Sequence, residues 1–278
     1  MTLAIGFFDG VHLGHQRILA GADAVLTFRN HPLSVVNPSC APALLMDVSE
    51  RIALLKSVGT KTPRDVHAIR FTRGFAAMQP REFADYLRNG FPGLKKIHCG
   101  GNWRFGANGT GTPQTLRDFG FSVKVSRYAK CGDEAISSTR IRSALAEGDI
   151  ELANAMLGRR FSVAGSVVRG KGVGCRIGSP TLNLEVSPPL KLGVYVVDTP
   201  YGRGVANYGV APTMGDKSWT KPVLEVHLLD AADRDGISPD GSIRVEFARF
   251  LRPERKFGGT RALCRQIAAD IAAARLDA

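Results

Sequence analysis

No apolar run in this chain of 278 residues approaches 18 residues, so no helical membrane span is expected. The N-terminus lacks the basic, apolar and small-residue succession of a secretory leader, which points to a cytoplasmic chain. Cysteine is scarce: Cys40, Cys99, Cys131, Cys175 and Cys264 are odd in number, scattered and without a CxxC pair. That pattern favours buried or incidental thiols over disulfides or zinc. Runs of five like charges, a basic tail and internal repeats are also missing. The net charge of +12 is spread evenly, with 19 Lys and Arg against 13 Asp and Glu in the first 157 residues and 18 against 12 in the rest. Such charge suits anionic small molecules at least as well as nucleic acid, and by itself does not separate them. What is present is a globular composition, 44% hydrophobic and 22% charged, long enough for one large or two ordinary domains.

The first half is organised around Ala4-Ile-Gly-Phe-Phe-Asp-Gly-Val-His-Leu-Gly-His15. A short apolar strand breaks at glycines and enters a helical pattern at 16–19, an arrangement that brings unpaired backbone N–H groups to one point and binds anions. Gly14 allows a phosphate to approach the backbone. His12 and His15, three apart on a first helical turn, can face one ligand and donate to phosphate oxygens whose charge grows in a transition state. HxxH alone is better read as two surface histidines on a strand-turn-helix. Asp9 and the three glycines Gly6, Gly10 and Gly14 turn the reading toward a nucleotide site.

Strand patterns at 24–28, 66–71, 96–99 and 121–125 then alternate with helical patterns at 49–58, 79–87 and 112–119, while Pro38 and Pro42 break any regular element between. This alternation predicts a parallel sheet with crossover helices and ligands at the carboxyl ends of the strands. The opening motif, His31-Pro32 and Asn102 all fall there. Ser137, Ser138 and Thr139 precede a helix that carries Arg140 and Arg142, a segment able to bind anions or simply to cap the helix. A further short helix at 150–157 ends at Gly158, where the first domain is expected to close.

Beyond Gly158 the pattern becomes short strands at 161–169, 193–197, 204–210, 223–229 and 243–251, separated by turn residues, which predicts an antiparallel barrel. A C-terminal helix with Leu263, Ile267, Ile271 and Ala274 on one stripe lies against it. The loop Arg169-Gly-Lys-Gly-Val-Gly-Cys-Arg-Ile-Gly178 is not a P-loop, since Gly172 stands where Ser or Thr is required. Its Gly170, Gly172 and Gly174 can still cradle phosphate through backbone N–H groups. Thr181 and Asn183, two apart on an extended segment, face one way and offer neutral oxygens that suit Mg²⁺. Glu225, where it faces the barrel mouth, can accept a proton from a hydroxyl nucleophile; a solvent-facing strand glutamate is the alternative.

Together these motifs resemble the prokaryotic bifunctional riboflavin kinase/FAD synthetase family along nearly the whole chain. The first half is similar to its FMN adenylyltransferase module in Gly6-x-Phe-Asp-Gly-Val-His-Leu-Gly-His15, Thr27-Phe-x-x-His-Pro32, Gly101-Asn-Trp-Arg-Phe-Gly106 and Ile136-Ser-Ser-Thr-Arg-Ile-Arg142. The second half resembles its riboflavin kinase module in Gly178-x-Pro-Thr-x-Asn183, Gly193-Val-Tyr195, Ala206-Asn-x-Gly-Val-x-Pro-Thr213, Leu224-Glu-Val-His-Leu-Leu-Asp230 and Phe250-Leu-Arg252. The resemblance implies an α/β chain: a Rossmann-like HxGH nucleotidyltransferase domain over residues 1–157, and a riboflavin kinase-like β-barrel with a terminal helix over 158–278. It implies phosphorylation of riboflavin by ATP to FMN, with Glu225 as general base and Thr181 and Asn183 holding Mg²⁺. FMN would then attack a second ATP to give FAD and pyrophosphate. Gly6, Phe8, Asp9, Gly14, His12 and His15 would serve that step, with Ser137, Ser138, Thr139, Arg140 and Arg142 on the leaving phosphates. His31, Pro32, Asn102 and Arg252 would touch flavin. Small molecules are the expected partners, without nucleic acid or membrane, and the oligomeric state is left open. Two rivals are a kinase with a degenerate first domain and a non-catalytic flavin- or RNA-binding regulator on the same scaffold. The chain departs from the family in lacking about a dozen residues, or three helical turns, after His15. Asn30 also replaces a proline, and Ser179 a phenylalanine.

Overall fold

The computed structural model describes residues 1–59, 64–168, 181–210, 222–229, 242–255 and 257–276. The chain forms two compact units, Met1–Ser138 and Thr139–Ala278.

In the first unit β1 (Thr2–Ile5), β2 (Ala24–Phe28), β3 (Asp65–Ile69), β4 (Lys96–Gly100) and β5 (Ser122–Ser126) form a parallel sheet in the order β3-β2-β1-β4-β5. The chain steps outward from β1 to β3 and then returns to β4 on the other side. The order therefore reverses between β1 and β4, and the crevice beyond their carboxyl ends is where such sheets hold ligands. The central strands β1 and β2 are apolar and buried because both their faces are covered. Leu3, Ile5, Leu26 and Ile97 pack with Phe83, Leu87 and Leu116 on one side. Ala4 and Val25 pack with Ile18, Leu19 and Leu55 on the other.

Local signals start and stop the helices. His12 caps α1 (Leu13–Leu19), Asp47 caps α3 (Val48–Ser57), and Pro80 occupies the first turn of α5 (Pro80–Gly90), where its missing N–H costs nothing. Thr112 caps α6 (Pro113–Asp118). Two helices escaped the sequence reading: α2 (Leu33–Val36), a single turn, and α4 (Arg73–Ala77), capped by Thr72. Pro38 does not break structure outright, as expected, but begins a 3-10 turn over Pro38–Cys40. A hairpin of β6 (Lys130–Cys131) and β7 (Glu134–Ala135) was also unforeseen; two-residue strands leave no periodic trace. α1 has only seven residues, in keeping with the shortened segment after His15.

The second unit begins with α7 (Ser138–Glu147), whose first residue still belongs to the first unit, and α8 (Ile150–Leu157), which Gly158 stops in the left-handed conformation at φ 70°. Then β8 (Phe161–Val168), β9 (Thr181–Leu184), β10 (Gly193–Thr199), β11 (Gly202–Gly209), β12 (Val223–Leu228) and β13 (Ser242–Arg252) close a barrel in the order β10-β11-β12-β9-β8-β13. Cross-strand register points Tyr195, Ala206, Leu224, Val226, Leu184, Val245 and Phe247 inward, and all are buried. Asn154 of α8 fastens its helix to the barrel, donating to the Phe247 carbonyl at 2.9 Å and accepting from the Phe161 N–H at 2.6 Å. α9 (Thr260–Arg275) half-buries Leu263, Ile267 and Ile271 and buries Ala274, the expected stripe, with Asp270 buried among them. Among the described residues no helix is long and apolar enough to cross a membrane.

Candidate active sites

The turn leaving β1 is strained. Phe8 and Val11 adopt positive φ of 58° and 40°, conformations rare for bulky and β-branched side chains. Beyond it His12 lies buried at the N-cap of α1, and its Nδ1 accepts from the His15 N–H at 3.3 Å. An accepting Nδ1 leaves the Nε2 side of His12 to donate. The two imidazoles stack with centroids 3.6 Å apart and planes 20° off parallel. Gly14 makes the stack possible, because a Cβ there would sit 3.0 Å from the His12 ring. The His15 Nδ1 is enclosed without a partner. Burial, then the neighbouring His12 and then Arg51 hold the His15 imidazole well below its ordinary range, so it is a neutral donor at pH 7. With seven residues, α1 builds little dipole, and the histidine side chains rather than the helix end carry the site.

Asp9 and Ser138 join the turn to distant segments. The Asp9 carboxylate accepts the Leu45 N–H with both oxygens at 3.1 Å, and its carbonyl accepts the Ser138 hydroxyl at 2.9 Å. A Cβ on Gly14 would also lie 3.7 Å from the Ile136 carbonyl. The structure thus brings the 136–138 segment against the opening motif, as the sequence implied. Thr139, Arg140 and Arg142 follow on α7, in the second unit. Gly6 leaves room for the Phe8 ring, which a Cβ would meet at 2.9 Å.

His31 packs edge-on against Phe7 at 4.7 Å and accepts the Leu33 N–H at its Nδ1, so the His31-Pro32 loop adjoins the turn after β1. Asn30, the departure from the family pattern, has a job a proline could not do: its side chain accepts the Phe71 N–H at 3.0 Å and donates to the Phe71 carbonyl at 3.1 Å. Asn102 is exposed beyond the end of β4. Sequence reading missed Arg51, a fully buried guanidinium over the Phe7 ring at 4.0 Å. A charge on a helix face that also carries Leu55 was the available signal.

In the barrel, β12 alternates cleanly. Leu224, Val226 and Leu228 point inward, while Glu225 and His227 lie on the outer wall. Of the two placements open for Glu225, barrel mouth or solvent, the structure takes the solvent-facing one: the interior is filled with apolar side chains, and the polar face of β12 points out. The register sets Glu225 directly between Asn183 of β9 and Asn207 of β11, with Thr181 opposite His227. Paired Cβ atoms across such a ladder lie about 5 Å apart, so Thr181, Asn183, Glu225 and Asn207 form one patch. The Asn207 amide donates to Glu254 at 3.3 Å, and the Glu254 carboxylate occupies the space a side chain on Gly209 would need. Burial and then the charge of Glu254 raise the Glu225 carboxyl above its ordinary range. Asn207 and Glu254 were not foreseen, because register alone places them here. Arg252, expected at the flavin, is engaged with Asp270 of α9 through contacts of 2.7, 3.0 and 3.1 Å. Gly170, Gly172, Gly174 and Ser179 lie outside the described residues.

Residues 1–140 match the FAD synthetase family model and 157–276 the riboflavin kinase model. The bifunctional riboflavin kinase/FMN adenylyltransferase of Bacillus subtilis is 32% identical over 97% of this chain and 90% of that protein. Those of Pseudomonas fluorescens and Escherichia coli K12 are each 34% identical, over 98% and 99% of this chain and 91% of theirs. A crystal structure titled a macrolide-efflux protein from Streptococcus pneumoniae superposes with a TM-score of 0.82 at 26% identity, covering 99% of this chain and 93% of that one. Its title describes that protein; what it shares with this chain is the fold. Two family models in tandem and relatives matched almost end to end show that the chain belongs to the bifunctional riboflavin kinase/FMN adenylyltransferase family.

Proposed function

We propose that the two sites work in series: the barrel converts riboflavin and ATP to FMN and ADP, and the sheet domain converts FMN and a second ATP to FAD and pyrophosphate. We keep the functional boundary at 157/158, because the 137–142 segment belongs to the chemistry of the first domain. ATP, riboflavin, FMN and FAD as substrates and products fit the family.

On the barrel wall Glu225 takes the proton of the ribityl hydroxyl as that oxygen attacks the γ-phosphorus, and ADP departs. The reaction asks for position and charge neutralisation more than covalent work. Thr181 and Asn183 offer hard neutral oxygens beside the Glu225 carboxylate, a donor set that fits Mg²⁺. They would hold the ion, which when bound neutralises phosphate charge. Arg252 braces α9 and is not assigned to flavin.

In the sheet domain an oxygen of the FMN phosphate attacks the α-phosphorus of ATP. His12 and His15 donate to the oxygens that gain charge, while Ser137, Ser138, Thr139, Arg140 and Arg142 receive the leaving pyrophosphate. His31, Pro32 and Asn102 lie where the flavin would rest, and both ATP-driven steps suit the cytoplasm. The observation that carries this half is the His12–His15 stack with Ser138 held to Asp9 beside it. The shortness of α1 favours the rival, a kinase alone. Purified protein given riboflavin, ATP and Mg²⁺, with products separated by chromatography, decides between them: FMN followed by FAD is expected, and FMN alone overturns the second step.

A further inference from the structure

Arg51 is a cation where the helix pattern calls for an apolar residue. It lies one turn before Leu55 on the inner face of α3, has no exposed surface, and donates from one Nη to the carbonyls of Phe28 at 2.5 Å and Arg29 at 3.4 Å. Its Nε and its other Nη have no partner. A buried guanidinium with unmatched donors is costly, and apolar residues of similar volume in such places are often neutral or stabilising. Its surroundings are those of the nucleotide site rather than a structural ion pair. The guanidinium carbon lies over the Phe7 ring at 4.0 Å, and the same ring meets His31 edge-on at 4.7 Å. Asp9 and Asp47 face it, and it acts electrostatically on His15, whose other charged neighbour is His12.

We propose that Arg51 is a positioning residue of the adenylyltransferase site: a buried cation held against Phe7 that attracts the triphosphate through space. The inference rests on the functional reading of the first domain. Before ATP binds, the Nε and second Nη donors of this cation are unmatched in a low-dielectric pocket, so an arriving polyanion gains from its charge without touching it. The same charge discourages a proton on the enclosed His15 Nδ1, so the imidazole stays a donor in the correct form.

The test compares Arg51→Met, which keeps the stem and removes the charge, with Arg51→Lys, which keeps the charge. FAD formation from FMN and ATP gives KM and kcat, and imidazole NMR of the free protein gives the His15 titration midpoint. For Arg51→Met the KM for ATP rises roughly tenfold, kcat changes less, and the His15 midpoint moves up. Arg51→Lys stays close to the parent in both. A folded Arg51→Met protein with unchanged KM and unchanged midpoint overturns the proposal. So does an Arg51→Lys protein that shows the full loss of Arg51→Met, since packing rather than charge would then be at work. Should Arg51→Met fail to fold, Arg51→Lys decides alone: parent-like values support the charge, and a raised KM with a shifted midpoint refutes it. If the parent itself makes no FAD, the functional reading fails separately, while the His15 midpoint still reads the effect of Arg51.

Discussion

Ser138 gives its hydroxyl proton to the main-chain oxygen of Asp9, 129 positions earlier in the chain, at 2.9 Å. One bond thereby holds the segment leading into α7 against the turn that carries His12, and it does so through a backbone atom that no substitution at position 9 removes. Ser138→Ala should slow FAD formation by roughly fivefold to tenfold, the worth of about 1 kcal/mol. FMN formation should be untouched. Initial rates of each half-reaction, with FMN supplied directly for the second, check this.

Replacing His15 by Gln removes one donor to the developing charge, and such losses cost about 10²- to 10³-fold in kcat. The expected outcome is a chain that still converts riboflavin to FMN at close to its original rate and accumulates it. Loss of both activities together would show that His15 holds the fold rather than the chemistry.

Glu225→Gln should abolish FMN formation by about 10²- to 10⁴-fold while sparing FAD formation from added FMN. The neighbour offers a finer probe. The charge of Glu254 holds the Glu225 carboxyl up, so Glu254→Gln lets it ionise at lower pH. A base must be ionised to act; the acid limb of kcat/KM for FMN formation should therefore move to lower pH. An acid limb that stays in place would separate Glu254 from the base.

His15 and His98 are both held below the ordinary imidazole value of 6.5, chiefly by burial. The folded chain then binds fewer protons than the unfolded chain as pH falls below 6.5. Stability is full above that pH and declines through it toward the lower folded-state values. Melting at pH 5.5 should come at lower temperature than at pH 7.5. His98→Gln should narrow the gap, since His98 is buried against the Ile18 carbonyl at 3.1 Å.

Asp270→Ala should cost about 3 kcal/mol by leaving Arg252 without its partner. Its contacts of 2.7 to 3.1 Å hold α9 to the end of β13. The loss is read as a lower melting temperature of the second unit, with FAD formation from FMN retained.

Much of this architecture was legible because its signals are local. The central parallel strands β1 and β2 are apolar runs, Gly158 ends α8, and Leu263, Ile267 and Ile271 mark one face of α9. The opening motif could be read because Gly14 and the two histidines lie within four residues of one another. What escaped depends on contacts made across the sequence. Only register sets Asn207 beside Glu225, and Glu254, beyond the end of β13, joins them by accepting the Asn207 amide. Arg51 looked like an ordinary helix cation until the fold enclosed it, and Arg252 looked available until α9 supplied Asp270. The outward facing of Glu225 could not be read from alternation, which gives two faces without saying which is inside.

The closed barrel has a consequence for how the chain fails. Its six strands pair around a full circuit and leave no row of open backbone groups for a stranger's strand to join. The five-stranded sheet ends in two such rows, on β3 and β5. Each outer strand carries ionisable side chains, Asp65 and His67 on one and Lys124 on the other, which discourage that pairing. Wherever those charges are neutralised or the sheet's covering helices loosen, aggregation will begin at the edge strands of the first unit rather than in the barrel.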